Sequence, residues 1–211
     1  MKIGIIGSGN VGGALAKAGV RAGHQVTLSA KDPSHAQAKA KATGARAAGS
    51  TAEAIKDAEI VILAVPNAEV DAVISQLAEA LAGKIIIDVT NRMKQPNIGE
   101  SVDGTSGAEQ IQRKVPKAKV VKAFNYAFAS RQADATVDGI QLDGFVAADD
   151  EEAKKTVLKL VGDLGFRPID AGPLAMARAL EALAILNISL NMKHGWPWQD
   201  GWKLVGPTEK T

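Results

Sequence analysis

Close to its start the sequence reads Lys2-Ile3-Gly4-Ile5-Ile6-Gly7-Ser8-Gly9-Asn10-Val11-Gly12-Gly13-Ala14-Leu15-Ala16. A short apolar run ends in Gly7-x-Gly9-x-x-Gly12, and an alanine-rich amphipathic pattern follows at once. This order predicts a strand–turn–helix loop in which Gly7 makes the turn, Gly9 lets backbone approach a pyrophosphate, and Gly12 allows close helix–sheet packing. A helix N-terminus also offers free N–H groups to an anion. We therefore predict dinucleotide contacts from Gly7, Ser8, Gly9, Asn10, Val11 and Gly12.

The composition is that of a globular protein with nearly balanced charge. Its 211 residues include 25 basic and 23 acidic side chains, and cysteine is absent. This balance leaves no basic stripe for nucleic acid, and the absence of cysteine excludes disulfides and thiolate metal sites. We see no signal-peptide pattern and no apolar run near the roughly 20 residues that span a bilayer. The expectation is a soluble, cytoplasmic protein with small-molecule partners and with neither nucleic acid nor membrane as a partner.

Strand and helix patterns alternate along the chain. Apolar runs predict strands at Ile3–Ile6, Val26–Leu28, Ile60–Val65, Lys84–Val89, Val120–Phe124 and Phe145–Ala148. Helical patterns lie between and after them, at Val11–Ala22, Ser34–Thr43, Thr51–Asp57, Glu69–Leu81, Ser106–Lys114 and Glu151–Leu164. Continuous apolar runs are typical of a parallel sheet that is covered on both faces. We predict an α/β fold, a Rossmann-type, doubly wound, mostly parallel sheet over residues 1–168, followed by a small C-terminal helical region over 169–211.

The end of the second strand bears on the choice between NAD and NADP. An enzyme that prefers NAD usually carries an acidic residue there, which accepts hydrogen bonds from the ribose 2′-hydroxyl. This chain has Ser29-Ala30-Lys31 at that point, and Asp32 follows too late. A lysine attracts a 2′-phosphate and a serine can donate a hydrogen bond to it, so Ser29, Ala30 and Lys31 favour NADP(H). A solvated turn that happens to contain one lysine is the alternative.

Polar or turn-forming residues recur where later strands end, which is where an open α/β sheet binds its ligand. These candidate cofactor-binding residues are Val65, Pro66 and Asn67, then Thr90 and Asn91, then Ala123, Phe124 and Asn125. Asn67, Thr90 and Asn125 can hydrogen-bond a sugar or a carboxamide, although a strand-end cap would use the same residue types. Asn91–Asp103 is the longest candidate for a functional loop.

The sequence contains no nucleophile–base pattern and no histidine cluster with metal-ligand spacing. Its three histidines, His24, His35 and His194, are predicted to be structural or exposed. Hydride transfer between two rings depends on positioning more than on proton transfer, because the cofactors carry the chemistry. We therefore predict no catalytic side chain and no metal.

The last third of the chain carries a more specific pattern. Asp170-Ala171-Gly172-Pro173-Leu174 precedes a helical pattern over Ala175–Lys193 that contains Arg178, Glu181 and Leu186-Asn187-Ile188. Together with the glycine motif, Gly23-His24 and Val65-Pro66, these residues give a sequence that resembles the NADPH-dependent reductases of the deazaflavin coenzyme F420, the F420H2:NADP oxidoreductase family. The match spans nearly the whole chain.

The resemblance implies a Rossmann-type domain with a small helical part, often in a homodimer, with NADP on the glycine loop and Lys31 at the 2′-phosphate. It also implies a deazaflavin that stacks on the nicotinamide against a C-terminal turn, which adds Ala171, Gly172, Pro173 and Leu174 to the candidate cofactor-binding residues. Val121–Asn125 departs from the archaeal enzymes and is more similar to bacterial relatives and to the cytosolic domain of membrane metalloreductases. The second cofactor is therefore expected to be F420 or a flavin (FMN or FAD).

Several alternatives remain at this point. One is a metalloreductase-like NADPH:flavin or ferric reductase, and another is an imine or pyrroline-carboxylate reductase, whose N-terminal half would look much the same as this chain. The approximately 40 residues after Asp170 are too few for the larger helical dimerisation domain that imine and pyrroline-carboxylate reductases usually carry. A non-catalytic NADP sensor is the third possibility. The leucines of the long helix predict a core or dimer stripe, and the three tryptophans near the C-terminus predict packing or a wall of the second-cofactor pocket.

Overall fold

A computed structural model describes residues 1–93 and 104–206, so most of the predicted loop Asn91–Asp103 lies outside the described residues. The strands are β1 (Lys2–Ile6), β2 (Gln25–Ser29), β3 (Arg46–Ala47), β4 (Ile60–Leu63), β5 (Ile85–Asp88), β6 (Lys119–Ala123), β7 (Thr136–Val137), β8 (Ile140–Gln141), β9 (Asp143–Ala148) and β10 (Arg167–Gly172). The helices are α1 (Asn10–Arg21), α2 (Pro33–Thr43), α3 (Thr51–Ile55), α4 (Asn67–Leu77), α5 (Gly107–Lys114), α6 (Ala129–Ala133), α7 (Glu151–Asp163) and α8 (Ala177–His194).

One twisted sheet has the strand order β10-β9-β6-β5-β4-β1-β2-β3, and β7 and β8 form a separate hairpin. Six neighbouring strands are all parallel to one another, namely β6, β5, β4, β1, β2 and β3. Strand β9 runs antiparallel to β6, and β10 is parallel to β9. Two buried apolar clusters line the two faces of the sheet. The predicted Rossmann-type, mostly parallel α/β fold is confirmed.

Local capping explains why the helices begin where they do. Ser106 and Glu109 form a reciprocal capping box at the start of α5, and the Asp150 side chain accepts a hydrogen bond from the Ala153 N–H at the start of α7. Such caps satisfy backbone N–H groups that have no partner inside the helix. The sequence analysis missed α6 and the β7–β8 hairpin, because five-residue and two-residue elements carry too little periodicity to be recognised.

The C-terminal helical region begins later than predicted. The predicted boundary at residues 168/169 falls inside β10, which extends the sheet to Gly172, and a 3-10 turn at Leu174–Met176 then leads into α8. The division into two domains stays a prediction. Leu174–His194 is also long and apolar enough to cross a membrane, contrary to our expectation for this sequence, with a mean hydropathy of 1.3. The core helix of a globular domain meets the same criterion.

An ion pair links the first turn of α8 to α5. The Arg178 guanidinium donates hydrogen bonds to both carboxylate oxygens of Glu109, at 2.9 and 2.6 Å, and this contact lowers the pKa of Glu109 to about 2. A carboxyl whose pKa is depressed by folding stabilises the protein above its ordinary pKa. That contribution is lost as the pH falls from about 4.5 towards 2.

We expect Arg178→Ala to lower the free energy of unfolding only slightly at pH 7, because the guanidinium is nearly half exposed and solvent screens its ion pair with Glu109. The difference between variant and wild type should shrink steadily below pH 4.5. Urea denaturation of both proteins at pH 7, 4 and 3 measures this. An equal loss of stability at all three pH values would contradict the assignment.

Candidate dinucleotide site at the carboxyl ends of the strands

The turn after β1 depends on two glycines for its own geometry. Gly7 has φ +109°, and its N–H donates to the Ser29 carbonyl at 2.9 Å, which holds the loop against the end of β2. A Cβ on Gly7 would overlap the carbonyl oxygen of Ala64, and a Cβ on Gly12 would overlap the carbonyl oxygen of Gly7. Gly7 and Gly12 are therefore required by the packing of the protein itself.

Gly9 differs from the other two glycines of the motif. A Cβ built on it would meet no protein atom within 4 Å, and its φ of −68° is available to any residue. The protein alone does not require glycine here, so the open space in front of Gly9 fits a ligand that approaches the backbone. Gly9 is also the N-cap of α1, which has no side-chain cap and no acidic residue in its first turn. Free N–H groups and the positive end of the helix dipole suit a pyrophosphate.

The remaining predicted residues of this loop surround the same space. Asn10 is exposed, and Ser8 and Val11 are half-buried at the start of α1. Because β1 pairs with β2, with Ile6 opposite Ser29, the glycine loop lies beside the turn that contains Ala30 and Lys31. Lys31 is exposed. The structure thus brings the loop and the predicted 2′-phosphate turn together.

Ser29 does not have the role that we predicted for its side chain. The residue is fully buried, and its hydroxyl points towards the Ile5 carbonyl, at 3.4 Å within the sheet. It therefore cannot donate a hydrogen bond to a 2′-phosphate outside the strand ends. Asp32 caps α2 by accepting from the Ser34 N–H at 2.8 Å, and this hydrogen bond lowers the pKa of Asp32. Its carboxylate therefore caps α2, which agrees with the prediction that Asp32 is not the acidic residue that binds a ribose hydroxyl.

A cavity of about 370 Å³ lies between the glycine loop and α2. Its lining residues are Ser8, Gly9, His35, Ala38, Lys39 and Ala42. Lys39 and His35 stand one helical turn apart on α2, and the exposed Lys31 lies just before this helix in the sequence. The sequence analysis did not assign Lys39, and it took His35 for a merely exposed residue. A cationic residue one turn from His35 on a helix after the second strand is the signal that could have indicated this cavity.

The loop after β4 contributes an open edge of the crevice. Pro66 and Asn67 are exposed and Val65 is half-buried, with Pro66 as N-cap of α4 and Asn67 as its first residue. Because β4 pairs with β1, this loop is the neighbour of the glycine loop. Its predicted residues are placed where a bound dinucleotide would pass.

The side chains after β5 and β6 are mostly engaged within the protein. The Thr90 hydroxyl donates to Asp88 at 2.7 Å, and Asn125 Nδ2 donates to Asn91 Oδ1 at 2.8 Å and to the Leu180 carbonyl at 2.9 Å. Asn91 is half-buried and returns a hydrogen bond to the Asn125 carbonyl. The Thr90 hydroxyl is thus engaged within the protein, whereas Asn125 Oδ1 is buried and has no hydrogen-bond partner among the described residues. Contacts of Thr90 and Asn125 with a sugar or a carboxamide stay predictions.

Ala123 and Phe124 are likewise buried. Phe124 has φ +63°, a left-handed conformation that costs energy in a non-glycine residue. The turn sends its ring into the core, edge-on to Phe166, and leaves the next residue, Asn125, facing α8. Both side chains are therefore buried, and contact of Ala123 and Phe124 with a cofactor stays a prediction.

The predicted second-cofactor residues Ala171, Gly172, Pro173 and Leu174 lie at and after the end of β10. Through the pairing of β10 with β9 and of β9 with β6, Gly172 is level with Lys122 near the carboxyl end of β6. Since β9 and β10 run opposite to β6, the chain after Gly172 turns away from this edge, and Leu174 is a buried core residue whose N–H donates to Asp149. Contact of these four residues with a second cofactor stays a prediction.

Beneath the crevice lies a buried ion cluster that the sequence analysis missed. Lys122 Nζ contacts Asp88 Oδ2 at 2.7 Å, the Thr90 carbonyl at 2.6 Å and Glu181 Oε1 at 2.9 Å, with Lys122 and Asp88 fully buried. A lysine in the apolar strand pattern Val120–Phe124 was the available signal. A buried cation needs anionic partners, and Asp88, which ends the neighbouring apolar run, was one of them.

A family model described as NADP oxidoreductase, coenzyme F420-dependent, matches residues 2–92. The F420-dependent NADP reductase of Methanothermobacter marburgensis is 32% identical over 212 residues, which cover 92% of this chain and 94% of that enzyme. This chain belongs to the F420-dependent NADP reductase family. Its members are oxidoreductases, so the predicted family and enzyme class are confirmed.

The chain is also similar to a solved bacterial structure and to a mammalian metalloreductase. A crystal structure from Arthrobacter sp. FB24, assigned as a candidate F420-dependent NADP reductase, superposes with a TM-score of 0.82 at 32% identity, covering 92% of this chain and 95% of that one. Metalloreductase STEAP3 of Rattus norvegicus is 32% identical over 188 residues, or 87% of this chain. The chain spans only 36% of the length of that metalloreductase.

Proposed function

We propose that this protein transfers a hydride between NADP(H) and the deazaflavin coenzyme F420. The observation that carries the proposal is the glycine loop, where open space in front of Gly9 meets the uncapped N-terminus of α1. Family membership supports F420 as the second cofactor. In the bound state the nicotinamide and the deazaflavin supply hydride donor and acceptor.

The role of the chain in this reaction is binding and orientation. The glycine loop would hold the pyrophosphate, and the cavity beside α2 would receive the phosphate of the adenosine half, near Lys31, His35 and Lys39. The strand-end loops that contain Asn67 and Asn91 border the place where the nicotinamide half would extend. Two rings that exchange hydride directly require fixed geometry rather than an acid–base side chain.

Lys31→Asp should weaken NADPH binding by about 1–3 kcal/mol, because a charge-assisted contact to the 2′-phosphate is replaced by repulsion. Fluorescence titration with NADPH measures the change, and NADH affinity should stay nearly constant. Lys41→Asp is the matched control, since Lys41 is likewise exposed but lies near the end of α2, away from the strand end that carries Lys31. Equal NADPH affinity in the wild type and Lys31→Asp would refute the assignment.

A second candidate is an NADPH:flavin or ferric reductase, favoured by the similarity to the rat metalloreductase over most of this chain. NADPH oxidation with F420, FMN, FAD and ferric chelates offered in parallel separates the two. Fast turnover with F420 alone supports the proposed function, whereas turnover only with flavin or iron supports the second candidate. Tight NADPH binding without turnover would favour an NADP sensor.

We also propose that the protein works as a homodimer in the cytoplasm. Leu186 and Met192 on α8 and the nearby Trp196 are large apolar side chains with between 43% and 59% of their surface exposed. Large apolar side chains that are exposed on and just after a helix suit an interface between subunits. Sedimentation equilibrium of the purified protein tests the association.

A further inference from the structure

The buried cluster of Lys122, Asp88 and Glu181, named here the buried clamp, joins three parts of the fold. Lys122 lies on β6, Asp88 ends β5, and Glu181 lies in the second turn of α8. Besides the lysine, Glu181 Oε1 accepts the Gly107 N–H at 2.8 Å, and Asp88 Oδ1 accepts the Thr90 N–H at 2.9 Å. The cluster thus bonds to the first residue of α5 and to the loop after β5.

A second polar contact lies one residue away along α8. The Leu180 carbonyl accepts a hydrogen bond from Asn125, whose amide is paired with Asn91. Consecutive residues of α8 are therefore tied to the loops after both β5 and β6. These loops border the carboxyl-end crevice in which an α/β sheet binds its ligand.

Apolar packing alone would hold α8 less strictly. The helix buries small side chains such as Ala177 and Ala184 against the sheet, while Leu186 and Met192 remain exposed. Apolar contact is non-directional, so a sliding helix loses little of it. Hydrogen bonds of 2.8–2.9 Å from fixed donors to Glu181 and to the Leu180 carbonyl do not survive such a shift.

Stability is a poor reason for this arrangement. Removing two carboxylates and an ammonium from water is costly, and a buried ion group is often no more stable than apolar residues of similar volume. Such groups are retained in some proteins because they specify one arrangement over its neighbours. Here the arrangement specified is the position of α8 relative to the strand-end loops.

We propose that Glu181, through the buried clamp, is a positioning residue: it fixes the loops after β5 and β6, and with them the nicotinamide half of NADP(H), at the distance from the hydride acceptor that transfer requires. This inference rests on the proposed hydride transfer between two bound rings. A displacement of about 1 Å at the reacting atoms can slow a reaction about 100-fold, so a helix position fixed by three polar partners affects the rate directly.

Glu181→Ala should lower kcat by about 10- to 100-fold with the acceptor that the wild type uses, because α8 loses its link to Lys122 and Gly107. The dissociation constant of NADPH, measured by titration without acceptor, should change by less than about twofold, since the glycine loop and Lys31 lie on other elements. Hydrogen exchange should become faster at the Gly107 amide, which loses its acceptor.

Glu181→Gln is the conservative variant and should retain kcat within about threefold, because its amide oxygen still accepts from both donors. Arg178→Ala is the matched control on the same helix. It removes the exposed contact of α8 with Glu109 and should leave kcat unchanged. Glu181→Asp keeps the charge on a side chain one methylene shorter and should also lower kcat. It serves as the test if the alanine variant fails to fold.

The outcomes separate the two proposals. If the wild type reduces an acceptor and Glu181→Ala or Glu181→Asp is equally fast, the positioning role is overturned while the proposed function stands. A parallel loss of NADPH affinity and kcat that Glu181→Gln does not restore would mean that the buried clamp only stabilises the structure. That result would also overturn the positioning role. A wild type that reduces none of F420, FMN, FAD or ferric chelate would overturn both.

Discussion

Gly9→Val should abolish NADPH binding, weakening it by at least about 100-fold, without loss of the fold. The valine side chain would project into the open space in front of the loop, where the pyrophosphate is expected, and would touch no protein atom on the way. The backbone at this position is in a region that valine adopts without strain. Calorimetric titration with NADPH and thermal unfolding by circular dichroism measure the two properties.

Gly12→Val is the informative control for that experiment. Its Cβ would overlap the Gly7 carbonyl, so the variant should lose stability whether or not nucleotide is present. A Gly9→Val protein that binds NADPH like the wild type would remove the glycine loop from the site. One that unfolds would show instead that Gly9, like Gly12, serves the packing of α1.

Lys122→Met should lower the free energy of unfolding by about 3–5 kcal/mol, the cost of leaving buried carboxylates without their cation. Asp88 and Glu181 would keep their backbone N–H partners at Thr90 and Gly107, but no cation would lie between them. Urea denaturation of the apo protein gives the value directly.

Lys119→Met is the matched control, from the same strand. Lys119 pairs with Asp150 at 3.1 Å, and both side chains are more than a third exposed, so this change should cost about 0–1 kcal/mol. A loss in Lys122→Met that is no larger than in Lys119→Met would mean that the cluster is solvated in the protein. The description of the buried clamp would then be wrong.

The parts of the fold that local chemistry determines could be predicted. The turn at Gly7 needs a left-handed conformation and the start of α1 needs close approach at Gly12, and both requirements are visible in a few consecutive residues. The uninterrupted apolar runs of β4 and β5 indicated a sheet covered on both faces. These two features sufficed for the fold class, whereas the nucleotide contacts of the glycine loop stay a prediction.

Strand direction and side-chain pairing were harder to predict, because both depend on residues far apart in sequence. The pattern Phe145–Ala148 looks the same in a parallel and in an antiparallel strand, so the reversal at β9 was missed. The partner of Lys122 on α8 lies 59 residues away. The role of the Ser29 side chain was misassigned because the sequence does not show whether the last side chain of a strand is buried or exposed.

The buried clamp also bears on how the chain reaches its native state. Its side chains come from positions 88, 122 and 181, so a ribosome releases the lysine and the aspartate well before the glutamate. Until α8 emerges, Glu181 is missing, so the Gly107 N–H lacks its acceptor and Lys122 lacks one of its two carboxylate partners. Folding should therefore finish late and in one step, which protease digestion of stalled chains ending before and after residue 181 would detect. The same helix that is proposed to set the distance between the two rings would then also complete the folding of the sheet.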